Sequence, residues 1–551
     1  MYIRFASLAS LIVIGFIAGC VPPANGPADT FGLDFTLPPE ASRRGVIVFV
    51  VDGVNSETFR RMLDSGQLPE IKKRFADRGL YAPQATANVP SVTLANLISI
   101  ATGLFPGHHG VTGVNWFDRD RLVWRDYNTI AQKNMLDNDY AAATVYQRLP
   151  DRTTMSIFFQ PHRGAARWVE DWMSAGPPFF FGWYEFIDRL TLYRFNIAID
   201  IARARKAWPA AIVVYLLAPD YHAYRYGVDS PQYAESLRHT DRQLGRVLAD
   251  MDRAGLLDKL NLVLTSDHGM CPVSGHLRMD RFLERLGLDV APEHLWESTP
   301  FERRADYYQR FQAVLYGGGD RYCSISLRRP IFADGRCVGF EPWPSRPMSG
   351  DLSGYPARGG RSRVDLLDLL VKQEAVDAVA YRIADGCVRV RTREGQVEFR
   401  QDDGPRGPIS CRPVSGDDPL GYARTIGASL LYGEPLPPRR WLELTADTDF
   451  PDLPAQIIAY FRAPRAGDIA VFAKPGYDFR GVHKSGHGGL RAADMHVPLL
   501  VVGPGVRPGP IACARTTDVV PTMLDLLGEK IPDDLDGQSL IRQNGEKERN
   551  P

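Results

Sequence analysis

Six side chains suited to holding a metal or moving a proton stand at revealing places in this chain. Asp52 (in Val51-Asp52-Gly53), Asp220 (in Pro219-Asp220) and Asp267 (in Ser266-Asp267-His268-Gly269) each follow an apolar run, with at most two residues between. Carboxylates gathered on one rim repel each other and are costly to desolvate, and a cation relieves both problems. His268 and His487 (in Gly486-His487-Gly488-Gly489) add imidazoles, which favours zinc or a similar transition metal over magnesium or calcium. Thr93 lies where Asn88-Val-Pro-Ser-Val92 runs into the apolar, helix-like stretch Leu94 to Ala101. A hydroxyl at a helix start has free backbone N–H groups and the positive dipole end beside it, a place that suits phosphate. Each residue alone has a plainer explanation: an N-cap, an Asp-Gly turn, a surface histidine. Their joint placement after successive runs favours a common site.

The elements that must position these residues read as an α/β core. Val46 to Val51 is continuously apolar and β-branched except at Phe49, as a strand buried on both faces should be. A helix follows from Ser56, stopped at Gly66. Further strands are expected at Ala211 to Leu217, Leu260 to Thr265, Asp468 to Ala473 and Val497 to Val502, with helices over Pro231 to Ala254 and Thr516 to Leu527. In an open α/β sheet, ligands bind beyond the carboxyl ends of the strands, which is where the three aspartates fall. Residues 291–465 differ, with Gly- and Pro-rich breaks and hairpin-like alternation from Ala380 to Phe399. They read as an α+β insertion, or cap, between two parts of one core, 43–290 and 466–541, with a polar tail at 542–551.

Bulk properties exclude some function classes. The 551 residues include 65 Lys+Arg and 65 Asp+Glu, a formal net charge of zero, so no nucleic acid polymer is expected as partner. Residues 1–19 carry Arg4 and then an apolar run from Phe5 to Gly19, too short for a typical membrane span, and read as a secretory signal. Ile17-Ala18-Gly19-Cys20 resembles the bacterial lipobox, which implies cleavage before Cys20 and a lipid on its thiol. Val21 in place of Asp favours the periplasmic face of the outer membrane in a Gram-negative host; an uncleaved signal anchor is the alternative. Residues 20–42, rich in Pro, Ala and Gly, suit a flexible tether. Cys271, Cys323, Cys337, Cys387, Cys411 and Cys513 remain, an even number that permits disulfides but equally suits buried thiols.

Several motifs together resemble the type I phosphodiesterase/nucleotide pyrophosphatase family of the alkaline phosphatase superfamily. They are Val51-Asp52-Gly53, the stretch Pro90 to Gly110, Pro219-Asp220, Thr265-Ser-Asp-His-Gly-Met270 and His483-Lys-Ser-Gly-His487-Gly, then Thr517-Asp-Val-Val-Pro-Thr522 and Asp536-Gly-Gln-Ser-Leu540. The resemblance spans roughly 45–290 and 466–541. It implies an alkaline-phosphatase-like core sheet flanked by helices, two zinc ions per chain, and a small phosphate ester, of nucleotide or lipid-headgroup type, as substrate. It also implies roles: Thr93 as nucleophile and ligand of one zinc, with Asp52, Asp267 and His268 as its other ligands. Asp220 and His487 would hold the second zinc, and Asn96 would hydrogen-bond a non-bridging phosphate oxygen.

One position departs from the family, which carries a histidine four residues after the aspartate at 220, where this chain has Tyr224. His222 would complete the second zinc site if the segment is a turn; otherwise Tyr224 or a water fills the place. Three other stretches attract weaker readings. His109 reads as structural, His162-Arg163 as a solvated loop, and Pro178-Phe-Phe-Phe-Gly-Trp-Tyr184 as core cover ahead of a leaving-group pocket. The Cys-x-Pro-x-Arg nucleophile motif of sulfatases is missing from the sequence. Two rival functions remain: a phosphomonoesterase or phospho-group transferase on the same core, and a non-catalytic metal- or phosphate-binding surface lipoprotein.

Overall fold

The structure, a computed structural model, describes residues 44–541 apart from 130–131, 170–171, 206–207 and 417. The expected signal, Cys20, the tether and the tail lie outside the described residues. Among the described residues no helix is long and apolar enough to cross a membrane.

The elements that place the site are, in chain order, β1 (Gly45–Val51), α1 (Ser56–Asp64), β2 (Leu80–Thr86), α2 (Thr93–Thr102), β3 (Thr154–Ile157), β4 (Arg167–Val169), α3 (Trp172–Phe181), α4 (Tyr184–Arg205), β5 (Ala211–Leu216), α5 (Ala218–Tyr226), α6 (Pro231–Arg253) and β6 (Leu260–Thr265). A second group follows: β7 (Ala313–Gly318), β8 (Tyr322–Leu327), β9 (Val376–Ala384), β10 (Cys387–Thr392), β11 (Gly395–Gln401), β12 (Ile409–Ser415) and β13 (Ile469–Ala473). The chain closes with β14 (His496–Val502), β15 (Gly509–Pro510) and α7 (Val519–Leu527).

The main sheet is mixed and eight-stranded, in the order β15-β2-β14-β6-β1-β5-β3-β4. β1 runs parallel to both β5 and β6, with Val50 level with Tyr215 on one side and Thr265 on the other. This register puts the carboxyl ends of three strands at one height, so Asp52, Asp220 and Asp267 emerge on a single rim. Val46, Val48 and Val50 face one core with Leu97 and Ile98 of α2 and Val520 and Met523 of α7. Ile47, Phe49 and Val51 face a second core, shared with Phe59 of α1 and Leu244 and Leu248 of α6. Helices thus cover both faces, which is why β1 could be apolar without alternation.

The second sheet has seven strands, all antiparallel, in the order β7-β8-β13-β9-β10-β11-β12. The hairpins expected around Asp385-Gly386 and Glu394-Gly395 are present as β9-β10-β11. One expectation is corrected here. The strand near 468–473 belongs to this sheet and not to the core: Val471 pairs with Cys323 of β8 and Val379 of β9. A fully buried apolar strand announces two covered faces but not which sheet supplies its edges. The return to the main sheet is made by β14.

A fully buried ion pair joins the two sheets near the rim. Arg321 donates from Nε to Asp494 Oδ1 at 2.8 Å and from its terminal nitrogen to Oδ2 at 3.1 Å. The remaining guanidinium donors reach the carbonyls of Ala473, Lys474 and Tyr477, so the buried charge is well satisfied. The Asp494 carbonyl in turn accepts from the Gly269 N–H at 2.9 Å, tying the pair to the loop after β6.

Candidate metal centre

Thr93 is the first helical residue of α2, not its cap: the N-cap is Val92, and no side chain caps the helix. The Asn96 N–H is the first to find a helical acceptor, the Val92 carbonyl, which leaves the first-turn N–H groups at the helix mouth. All residues from Leu94 to Thr102 are buried, so the apolar body of α2 drives into the core and leaves the Thr93 hydroxyl at the rim. That hydroxyl lies 3.0 Å from Nε2 of His268.

Around it the side chains form two overlapping groups able to hold a metal: Asp52, Asp267 and His268, and Asp220, His268 and His487. In two of the carboxylates the protein fixes one oxygen and leaves the other bare. Tyr215 donates its phenol to Asp52 Oδ2, while Asp267 Oδ1 accepts the His268 N–H at 3.0 Å and the Gly53 N–H at 3.3 Å. Asp52 Oδ1, Asp267 Oδ2 and Asp220 Oδ1 are buried with no hydrogen-bond partner. Three orphaned anionic oxygens in one place are hard to sustain without a cation. Both imidazoles are oriented for it. His268 Nδ1 meets the Gly269 carbonyl at 3.0 Å and His487 Nδ1 meets the Ser91 carbonyl at 2.8 Å. A carbonyl only accepts, so each ring carries its proton on Nδ1 and offers Nε2 as a lone pair, the tautomer that metal-binding histidines need. The two rings stack at 3.5 Å. The donor set of carboxylates, imidazole nitrogens and a hydroxyl fits zinc.

Electrostatics carry the same message. Burial, and then Asp267, push the Asp52 carboxyl well above the usual range. Burial, and then Asp52, do the same to Asp220, while burial and Asp220 raise Asp267 to about 8. Burial holds His268 well below the ordinary imidazole value, helped by His487, and lowers His487 to about 4. Without a cation, then, the carboxyls are pushed toward their neutral form.

Glycines admit the crowding. Gly53 adopts φ +65°, and a Cβ there would sit 2.8 Å from the Asp220 side chain. Gly319 adopts φ +63°, and a Cβ there would sit 2.5 Å from His487 Nδ1. The Gly317-Gly-Gly319 run is therefore a close approach of the second sheet to the rim, where sequence alone shows only a break. It brings in Asp320, which the sequence did not single out. Asp320 pairs with His487 through backbone and accepts from His483 Nδ1 at 2.5 Å. Tyr215, which anchors Asp52, was also missed; its one signal is a phenol in an otherwise aliphatic strand.

Two expected site residues are corrected. His222 does not join the metal groups. Residues Ala218–Tyr226 form helix α5, on which positions two apart point in different directions. His222 Nε2 lies 3.6 Å from Glu185, and its Nδ1 has no partner. Tyr224, four residues after Asp220 and so on its face, packs instead against His487 at 5.6 Å and His483 at 4.5 Å between ring centroids. Asn96 cannot reach a substrate oxygen, because it is completely buried with both ends engaged. Its Oδ1 accepts from the Asn88 N–H at 2.7 Å, and its Nδ2 donates to the carbonyls of Asn88, Pro90 and Val92. It shapes the loop that presents Thr93. These placements predict that Tyr224→His raises the metal bound per chain at fixed free zinc, while His222→Ala leaves it unchanged. Mass-spectrometric metal counting checks both.

The weaker candidates also find their places. His109 is buried, its Nε2 at 3.0 Å from the Ala95 carbonyl, as a structural residue should be. Arg163 lies over Tyr140 and donates to the Asp137 carbonyl, and His162 stacks on Trp168. All six cysteines are free thiols. The aromatic stretch near 180 is not core cover: Phe179, Phe180, Phe181 and Trp183 are exposed.

The sequence model described as type I phosphodiesterase/nucleotide pyrophosphatase matches residues 46–316. Human ectonucleotide pyrophosphatase/phosphodiesterase family member 7 is 42% identical over 83 residues, 15% of this chain and 18% of that protein. Family member 3 from Bos taurus is 25% identical over 248 residues, 43% of this chain and 25% of that protein. An uncharacterized pyrophosphatase/phosphodiesterase of Schizosaccharomyces pombe is 23% identical over 230 residues, 42% and 45% respectively. The chain spans less than half the length of these curated relatives. Among solved structures, murine ectonucleotide pyrophosphatase/phosphodiesterase 5 superposes with TM-score 0.53 at 14% identity, covering 89% of this chain and 97% of that one. An inactive variant of that murine protein, in complex with AMP, gives TM-score 0.52. The fold is thus alkaline-phosphatase-like, and residues 46–316 of the chain match the type I phosphodiesterase/nucleotide pyrophosphatase family, whose members belong to the alkaline phosphatase superfamily.

Proposed function

We propose that this protein is an exported, zinc-dependent hydrolase of small phosphate diesters that uses Thr93 as its nucleophile. The observation that carries the reading is the Thr93 hydroxyl at 3.0 Å from His268 Nε2, at the mouth of α2 and among three unpartnered carboxylate oxygens. Asp52, Thr93, Asp267 and His268 would hold one zinc, and Asp220 and His487 the other. Bound there, the metals supply Lewis-acid charge that activates the hydroxyl and offsets charge on the leaving oxygen.

The chain's own groups do the rest. The Val92 to Ala95 turn aims the Thr93 oxygen outward, and first-turn N–H groups of α2 hold non-bridging oxygens in place of the Asn96 side chain. The Thr93 oxygen forms a bond to phosphorus as the bond to the leaving alcohol breaks, and the alcohol departs with a proton. Water then attacks phosphorus from the opposite face, the phosphorus–Thr93 bond breaks, and a phosphate monoester leaves. A nucleotide-type ester as substrate is supported by the AMP complex of the murine fold relative. Export and a lipid on Cys20 rest on the sequence motif at Ile17 to Cys20.

Zinc-loaded protein is expected to turn over bis-(p-nitrophenyl) phosphate faster than p-nitrophenyl phosphate. The reverse preference would replace the diesterase with a monoesterase, and inertness toward both would leave a binding protein.

A further inference from the structure

The aromatic tip between α3 and α4 has no role in the chemistry above, yet it carries the most exposed aromatic cluster among the described residues. Phe180 is 75% exposed, Phe181 64% and Trp183 52%. Their rings make two sets of contacts: Phe179 lies 6.2 Å from Phe180 and 5.3 Å from Tyr184, and Phe181 stacks on Trp183 at 5.4 Å. The outward stripe continues along α4, where Phe186, Arg189 and Tyr193 share one face at i, i+3 and i+7. Scattered exposed apolar residues are ordinary, but a contiguous aromatic patch marks a surface that meets something apolar.

We propose that this tip docks into the interface of a lipid bilayer and holds the metal rim against the headgroups. Three observations favour a bilayer over a protein. First, the thirteen residues Trp172-Met-Ser-Ala-Gly-Pro-Pro-Phe-Phe-Phe-Gly-Trp-Tyr184 include no charged side chain, so nothing charged would have to be desolvated when the tip enters. Second, Trp and Phe at the tip with exposed arginines behind it (Arg189, with Arg242 and Arg246 of α6) match an anionic membrane surface. Third, the chain preceding β1 offers an acyl site at Cys20 and a Pro/Ala/Gly-rich segment to residue 43. Covalent geometry limits the reach of a segment of that length to roughly 80 Å, more than the roughly 20 Å length of β1. The anchor therefore permits the rim, at the far end of β1, to face the membrane.

The tip is coupled to the site by packing. Tyr184 stacks on Tyr221 at 4.2 Å, one residue from Asp220. Asp188 of α4 accepts the Leu217 N–H at 2.7 Å and the Ala218 N–H at 3.1 Å, fixing the start of the helix that carries Asp220. A docked tip would thus set the distance between metals and membrane surface without contributing to the chemistry.

The test uses the purified full chain with phosphatidylethanolamine/phosphatidylglycerol vesicles that contain brominated acyl chains. Trp183 emission, taken as the difference between wild type and Trp183→Phe, is expected to be quenched. The double variant Phe180→Ser/Phe181→Ser should weaken that quenching by about tenfold or more in required lipid, given what burying two phenyl rings contributes. Its melting temperature and its turnover of a water-soluble diester should stay at wild-type values. An unquenched Trp183 overturns the proposal, and so does a double variant that changes the sedimenting species from dimer to monomer, which would make the tip a contact between two copies. Quenching does not depend on turnover, so it stands or falls separately from the diesterase reading.

Discussion

Thr93→Ala is expected to reduce diester turnover by a factor of about 10³ or more while leaving the protein folded. The physical basis is that the substitution removes a hydroxyl and one partly buried methyl from the mouth of α2 and leaves the buried residues behind it untouched. Thr93 caps no helix and is only partly buried, whereas the nine residues after it make the core contacts. Its loss should therefore cost less than about 1 kcal/mol of stability, as surface substitutions away from caps and cores do. Asp52, Asp267 and His268 stay in place, so the variant should still bind metal, with reduced affinity. Thr93→Ser restores an oxygen at the same position and should recover a measurable share of the rate. Steady-state kinetics with thermal melts on the same samples make the check. Unchanged turnover in folded Thr93→Ala protein would remove the nucleophile from the mechanism.

Metal removal should expose a pH dependence that the loaded protein lacks. Asp52, Asp220 and Asp267 have folded-state pKa values raised above those of the unfolded chain, Asp267 to about 8. For such groups the native state holds more protons than the unfolded one, so stability is complete below the unfolded carboxyl pKa, near 4, and declines as pH rises through the folded value. His268 and His487 are shifted the opposite way, and their contribution is lost only as pH falls below the unfolded imidazole value, near 6.5. Above about pH 7 the imidazoles are neutral in both states, and the carboxyls act alone. Chelator-treated protein should therefore melt at progressively lower temperature from pH 7 to about 8.5. Its slope would be about 1.4 kcal/mol per pH unit for each carboxyl still protonated. Zinc-reloaded protein should show a flat profile over the same range, and it should be more stable by about 4 kcal/mol at a thousandfold excess over Kd. Parallel melting curves with and without zinc would mean that the rim carboxylates do not bear the cation.

These expectations mix what was legible in the chain with what was not. β1 could be read because an uninterrupted β-branched run ending on Asp-Gly has few other uses. β13 was equally visible as a strand, yet it was assigned to the wrong sheet, since burial on both faces carries no address. Asn96 was expected to meet substrate because the family resemblance implied it. Its burial comes from the fold of the Asn88 to Val92 loop around it. His222 looked like a metal ligand because Tyr224 left a gap, and helix α5 then turned it toward Glu185. Asp320 and Tyr215 left almost no trace in sequence, because one arrives by a glycine-lined approach from the second sheet and the other by strand register.

The inventory was readable from the chain: three aspartates at strand ends, two glycine-flanked or aspartate-linked histidines, and a threonine opening an apolar helix. Local patterns suffice for that, since periodicity and turn residues act over a few positions. Which oxygens remain bare, which imidazole nitrogen faces the rim, and which neighbour stands where the missing histidine would be are set by the folded arrangement. Those depend on contacts between residues hundreds of positions apart, such as Ser91 with His487 and Gly53 with Asp267. Register and close packing set such contacts, and neither is written in any short stretch of the chain.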